Sequence, residues 1–409
     1  MDLRMHPSSR KRYGMTLTER LELKRPKRLL SLDGGGIRGL IAAEILIKLE
    51  DVLCRSNSRW KCLADYFDFI GGTSTGAILT TGLALGMSAR ELKDFYVRLG
   101  PKVFRERWWI GRLWSKYKSE PLEQELRSAF GDTTLGSEKL RTLMMIVAKN
   151  VTVGNPWFFV NNPRHKFIAV NSRIPLWELV RASSAAPTFF PPYTIEIGDG
   201  QKFEFIDGGV SMFNNPSFQL FLEATIPRYR VGWSTGVDKI LLISVGTGFR
   251  EKRVPRGRAK IYTLFHWAGY VVEVLLDDAN VQQNTLMKLI SYTPKPQWID
   301  REMEDLPMPT TDEVRQLQAE AQKSNIQLLG AAGAPTSAFA TKMLTYHRYT
   351  TSLTQERFEQ LHLLREIDPD RIAKLDCVDQ IETLCEIGQA VAAEQISAQD
   401  FKGFLHEDW

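Results

Sequence analysis

The chain reads as an α/β protein, a buried sheet with helices on both faces. Three observations predict this. Apolar runs of strand length recur at residues 27–32, 143–148 (LMMIVA) and 239–245 (KILLISV). Stretches with helical periodicity separate them. Two strand candidates also run directly into glycine-rich turns with a helical pattern behind. Unbroken apolar strands indicate a sheet covered on both sides, and their alternation with helices indicates α/β layering.

Taken in order, residues 1–26 form a polar, basic N-terminal segment. It has no apolar h-region, so it does not read as a secretory signal. The strand at 27–32 enters the cluster Asp33-Gly34-Gly35-Gly36-Ile37-Arg38-Gly39. A helix over 37–53 follows, with Ile37, Ile41, Ile45, Leu49 and Leu53 on one face. A second unit places a strand at 66–70, a turn at 71–76 and a helix from Ala77. Residues 167–170 are a further strand candidate. Beyond about residue 250 strand-like runs become scarce, and 312–329, 353–365 and 377–393 look helical. The expected organisation is therefore an α/β catalytic domain over 27–250 and a mostly helical region over 251–409. That region would pack on the sheet or cap it.

Bulk composition sets limits. Of 409 residues 43% are hydrophobic, enough for a sizeable core. The net charge of +5 suits anionic partners such as a phospholipid surface or a nucleotide, and specifies neither. Cys54, Cys62, Cys377 and Cys385 lack metal-type spacing and are expected as free thiols in a reducing cytoplasm. No run of about 18 apolar residues occurs, so membrane contact is expected to be peripheral.

Three short motifs carry chemistry. The glycine cluster sits between strand and helix, where several N–H groups and the positive end of a helix converge on one point. Such a point can hold an oxyanion. The cluster also fits the G-x-G-x-x-G dinucleotide pattern. Against that, Asp33 would place a carboxylate beside a pyrophosphate, and no acidic residue ends a strand about 20 residues on. Alone, the cluster leaves both chemistries open, together with an unliganded turn.

Gly72-Thr73-Ser74-Thr75-Gly76 matches G-x-S-x-G between a strand and a helix, the setting of a nucleophile elbow. A serine hydroxyl requires a base. None of the six histidines (His6, His165, His266, His347, His362 and His406) has a glycine-rich or turn-like setting. The alternative is Asp207, at the end of an alternating strand and followed by Gly208 and Gly209. By itself a DGG turn with a solvated aspartate would be the simpler reading.

Together the three segments resemble the patatin-like phospholipases. DGGGIRG, GTSTG and DGG stand in that family's order, and Arg181-Ala-Ser-Ser-Ala-Ala-Pro187 resembles its segment before the aspartate. The resemblance covers about 27–250. It implies a three-layer α/β/α sandwich with a mainly parallel sheet and a Ser-Asp dyad of Ser74 and Asp207. It implies an oxyanion hole formed or supported by Gly34, Gly35, Gly36 and Arg38, with Gly39, Gly72, Gly76, Gly208 and Gly209 as motif glycines. The implied reaction is phospholipid acyl-ester hydrolysis at the inner face of the membrane, with no metal, no cofactor and no DNA or RNA polymer as partner.

A chain of this kind also resembles the phospholipase effectors of bacterial antiphage defence. That implies activation by a cyclic di- or oligonucleotide. An unregulated housekeeping lipid acyl hydrolase is the alternative. A non-catalytic binding module and a nucleotide-dependent oxidoreductase are further readings. The segment 104–114, with Trp108, Trp109 and Trp114 among arginines, suits a lipid boundary or simple core packing. The loop 248–260 suits phosphate binding or plain solvation. Oligomeric state leaves no mark on the sequence.

Overall fold

The computed structural model describes residues 15–104, 115–250, 254, 256–295 and 342–405. The strands are β1 (Lys27–Leu32), β2 (Phe69–Thr73), β3 (Leu143–Asn150), β4 (Pro156–Val160), β5 (Tyr193–Ile197), β6 (Gln201–Asp207), β7 (Ile240–Val245), β8 (Ser291–Tyr292) and β9 (Leu344–Tyr349). They form one sheet in the order β5-β6-β3-β2-β1-β7-β9-β8, with β4 paired to β3. From β3 to β8 every pairing on this path is parallel, while β4 and β6 run antiparallel to β3.

Alternation along each central strand explains the layers. Leu30, Leu32, Ile70, Leu241 and Ile243 point into one core, with the helices Gly39–Ser56, Thr75–Ala84, Ala89–Val103, Leu176–Ser183 and Ile381–Gln395. Leu29, Phe69, Ile240 and Leu242 point into the other, against Leu220, Phe221 and Ala224 of helix Ser217–Thr225 and Met287 of helix Leu264–Ile290. A side-chain period of two on strands buried on both faces gives an α/β/α sandwich. Among the described residues no helix is long and apolar enough to cross a membrane.

Several elements differ from the sequence expectation. Residues 63–66 form a short helix, because the Asp65 carboxylate accepts the Cys62 N–H at 3.2 Å and caps its start. The strand therefore begins at Phe69, and it continues through Gly71 and Gly72 instead of turning there. Gly71 pairs with Ser31 and Met145 on either side, so the two glycines are strand residues. Residues 167–170 contribute to a helix, Ile168–Asn171, with Phe167 and Val170 exposed. Of the helical stretches expected after 250, helices Gln355–Gln360 and Ile381–Gln395 are present, and 312–329 lies outside the described residues. The same region also supplies β9, which pairs in parallel with β7. Its sequence LTYHRY does not look like a buried strand because of His347 and Arg348, yet His347 is buried and the Arg348 side chain is only 8% exposed.

Asp68 anchors the chain at the start of β2. It is fully buried. Its carboxylate accepts Arg25 Nη1 and Nη2 at 2.9 and 2.8 Å and the Arg28 N–H at 3.0 Å, and Arg20 lies at 3.5 Å. Burial opposes ionisation, but the neighbouring guanidiniums outweigh it and hold the carboxyl below its usual range. Asp68→Asn would strand buried cations, so urea denaturation should show a loss of about 3–5 kcal/mol. A loss below about 1 kcal/mol would show that this cluster is not what ties the N-terminal segment to the sheet.

Candidate active site

β2 delivers Ser74 to the carboxyl edge of the sheet, where the chain turns into helix Thr75–Ala84. The turn is sharp. Ser74 has φ 54° and ψ −118°, a conformation that costs a non-glycine residue energy unless its surroundings enforce it. The flanking glycines make the turn possible. A Cβ at Gly72 would lie 2.1 Å from the Gly76 carbonyl oxygen, and one at Gly76 would lie 2.1 Å from that of Leu32. The Ser74 N–H donates to Ser183 Oγ at 2.8 Å, and Ser183 Oγ donates to the Val147 carbonyl at 2.5 Å. Ser183 lies in the RASSAAP segment and therefore clamps the elbow to β3.

Asp207 ends β6 and pairs with Ala148 of β3. Ser74 Oγ donates to its Oδ2 at 2.6 Å. Its Oδ1 accepts the Gly209 N–H at 2.7 Å. Gly208 permits the approach, since a Cβ there would lie 2.5 Å from the Val147 carbonyl oxygen. Asp207 is only 5% exposed. Burial pushes its pKa up to about 6, while the hydrogen bonds from Ser74 and Gly209 pull the other way. Among the described residues, no hydrogen bond joins a histidine to Ser74 or Asp207.

The glycine loop lies over the serine. A Cβ at Gly34 would approach Ser74 Cβ to 3.2 Å. The amides of the loop are not equivalent. The Gly34 N–H donates to the Asn214 carbonyl at 3.1 Å and is thus engaged, while its own carbonyl accepts Thr247 Oγ1 at 2.9 Å. The amides of Gly35 and Gly36 have no acceptor among the described residues. The Gly34 amide is therefore engaged, and a group bound at this loop would meet the amides of Gly35 and Gly36 instead. Gly36 has φ 58°, and its Cβ would lie 2.2 Å from the Leu375 carbonyl oxygen, which accepts the Ile37 N–H at 2.8 Å. The Arg38 N–H and Nε both donate to the Gly35 carbonyl, at 3.2 and 3.5 Å. Gly39 packs on Thr75, whose Oγ1 donates to the Gly36 carbonyl at 2.8 Å and accepts Tyr96 OH at 2.9 Å.

Sequence reading missed several of these groups. The Thr75 amide opens the helix beside Ser74, and it could have been named from the elbow pattern itself. Asn214, Thr247, Tyr96 and Leu375 carry no local signature. The structure brings Ser74, Asp207, Gly34, Gly35, Gly36 and Arg38 to the wall of one cavity of ≈ 1710 Å³. An apolar side of Ile78, Leu99, Val103, Leu122, Phe189 and Phe190 continues from them. Arg250 from the basic loop also lines the cavity, paired with Asp370 at 2.9 Å, while Arg256, Arg258 and Lys260 are exposed. Residues 105–114, with the three tryptophans, lie outside the described residues, as do 251–253 and 255.

A hydroxyl bonded to a desolvated carboxylate, beneath unengaged amides and beside an apolar cavity, suits acyl transfer. Comparison with known proteins agrees with that chemistry. The patatin-like phospholipase family model matches residues 30–220. A cGAMP-activated phospholipase of Escherichia coli (strain TW11681) is 37% identical over 249 residues, which are 59% of this chain and 67% of that one. Patatin-17 of Solanum cardiophyllum is 31% identical over 272 residues, 62% of this chain and 69% of the relative. A cGAMP-activated phospholipase of Vibrio cholerae serotype O1 is 38% identical over 213 residues, 48% and 57% of the two chains. With the elbow, the glycine loop and this extent of identity, the chain belongs to the patatin-like phospholipase family and is a serine hydrolase.

Proposed function

We propose that the chain is a phospholipase A-type lipid acyl hydrolase with Ser74 as nucleophile and Asp207 as base. It would be activated by a cyclic nucleotide to degrade the cell's own membrane from its inner face during antiphage defence. The observation that carries the catalytic reading is the 2.6 Å hydrogen bond from Ser74 Oγ to a buried Asp207. An unperturbed carboxylate is a weak base near pH 4. Burial raises the basicity of Asp207 and shortens the gap to the working pH.

The reaction follows from these positions. Asp207 takes the hydroxyl proton as Ser74 Oγ bonds to the acyl carbonyl carbon. The carbonyl electrons move to oxygen, where the amides of Gly35, Gly36 and Thr75 face the developing charge. As the tetrahedral species collapses, the ester bond breaks and the proton on Asp207 passes to the departing lysophospholipid. Water, activated by the same carboxylate, then releases the fatty acid and restores Ser74. The apolar cavity wall accepts the acyl chain. Activation by a nucleotide draws support from the two bacterial relatives named as cGAMP-activated.

Fatty-acid release from phospholipid vesicles, with and without a panel of cyclic di- and trinucleotides, tests both levels. Ser74→Ala and Asp207→Asn should each lower release by about 10⁴-fold. Undiminished release by either variant would refute the dyad. Release that depends on one nucleotide supports the regulated reading, and release without any favours a housekeeping hydrolase.

The acidity of Asp207 makes a second prediction. Only the ionised carboxylate is a base, so kcat/KM should rise with pH, reach half its plateau near pH 6 and stay level above it. A profile flat between about pH 4.5 and 8 would count against this base.

The same shift has the opposite sign for stability. A carboxyl pKa raised on folding favours the native state below about pH 4 and loses that contribution as pH rises through about 6. At pH 8, Asp207→Asn should therefore be more stable than wild type, by up to about 3 kcal/mol. Chemical denaturation at pH 8 and pH 4 would show the difference present at the first and absent at the second.

A further inference from the structure

The oxyanion loop is held by a residue far beyond the family motifs. Asp33 precedes Gly34 and is 2% exposed. Its two carboxylate oxygens accept Arg348 Nη1 at 2.9 Å and Nη2 at 2.5 Å. Arg348 stands on β9, two strands from β1, and its side chain crosses the end of β7 to reach the loop. Ser244 of β7 and Gly246 just after it admit it. Ser244 Oγ accepts Arg348 Nη1 at 2.7 Å, and Gly246 leaves the space, since a Cβ there would lie 2.8 Å from Arg348 Nη2.

We infer that Arg348 is a positioning residue for the oxyanion hole, acting through its two-point fork on Asp33. The inference rests on the assignment of Ser74 as nucleophile and of the glycine loop as its oxyanion site. A carboxylate held by one contact can swing, whereas a planar guanidinium bonded to both oxygens sets its plane and direction. Asp33 is further pinned by its N–H, which donates to the Val245 carbonyl at 3.1 Å. Gly35 follows two residues later, so the orientation of Asp33 decides where the Gly35 and Gly36 amides aim. A lysine can supply the charge but not the fork.

Transition-state mimicry separates positioning from mere support. Ser74 Oγ adds to the carbonyl of a dodecyl trifluoromethyl ketone, its proton passing to Asp207 and the carbonyl electrons becoming an alkoxide in the oxyanion hole. The matching dodecyl methyl ketone binds without that addition. The full chain would be assayed on p-nitrophenyl butyrate with cyclic GMP–AMP present, as wild type, Arg348→Lys, Arg348→Met, Asp33→Asn and the double variant Asp33→Asn/Arg348→Met. Thermal melts identify the folded variants.

The expected result for Arg348→Met and Asp33→Asn is kcat lower by about 100-fold, KM changed by less than about threefold, and Arg348→Lys intermediate. Affinity for the trifluoromethyl ketone should fall in parallel with kcat/KM while methyl ketone affinity holds. The double variant should be no worse than either single one, because both remove the same fork. A folded Arg348→Lys or Arg348→Met enzyme with kcat within about twofold of wild type overturns the inference, and so does equal loss of both ketones. A Ser74→Ala control separates the two levels. If it hydrolyses the ester like wild type, the nucleophile assignment fails, and the role of Arg348 fails with it.

Discussion

The geometry of the site depends on β3. It lies between β2, which carries Ser74, and β6, which ends at Asp207. Neighbouring strands are about 4.8 Å apart, so the two bearing strands are separated by roughly twice that. A 2.6 Å contact between their side chains requires both chains to lean over β3 at Val147 and Ala148. The Val147 carbonyl is where they do so. Gly208 passes it at a distance no side chain would allow, and Ser183 bonds to it while holding the Ser74 amide. The left-handed backbone of Ser74 is kept by the same contacts.

Burial of Asp207 raises its affinity for a proton and costs stability at neutral pH. Desolvation makes the carboxylate more basic, and only the Ser74 hydroxyl and the Gly209 amide compensate it. An arginine beside it would stabilise the charge and lower its affinity for a proton. The molecule instead places its buried carboxylate–guanidinium contacts elsewhere, at Asp68 and Asp33. Those two carboxylates face guanidiniums, whereas Asp207 faces a hydroxyl and an amide.

The part of the chain that follows the family match is built into the site. β9 extends the sheet, Arg348 reaches Asp33, and the Leu375 carbonyl receives the Ile37 amide. Asp376, the next residue, lines the cavity together with Lys116 and accepts Lys116 Nζ at 2.5 Å and Tyr117 OH at 2.6 Å. Asn214 Nδ2 donates to Asn280 Oδ1 on helix Leu264–Ile290, so that helix touches the loop that engages Gly34.

The sequence by itself determined the sheet class, the central strands β1, β3 and β7, and the local motifs. Those features arise from short-range rules, because apolar runs mark buried strands and glycine spacing marks turns that no other residue can make. It also singled out Ser74, the loop glycines and Asp207, the last only through its company. Tertiary structure decided the rest. The strand LTYHRY reads as polar, and the enclosure of its Arg348 is matched by Asp33, some 315 positions away along the chain. The start of β2 depended on an Asp65 cap outweighing the aromatic run around it. That the Gly34 amide is engaged was decided by the Asn214 carbonyl, and its carbonyl is held by Thr247, contacts that exist only once distant segments meet. Periodicity records which side of an element is apolar, whereas hydrogen-bond partners and buried charges are set by residues that sequence distance hides.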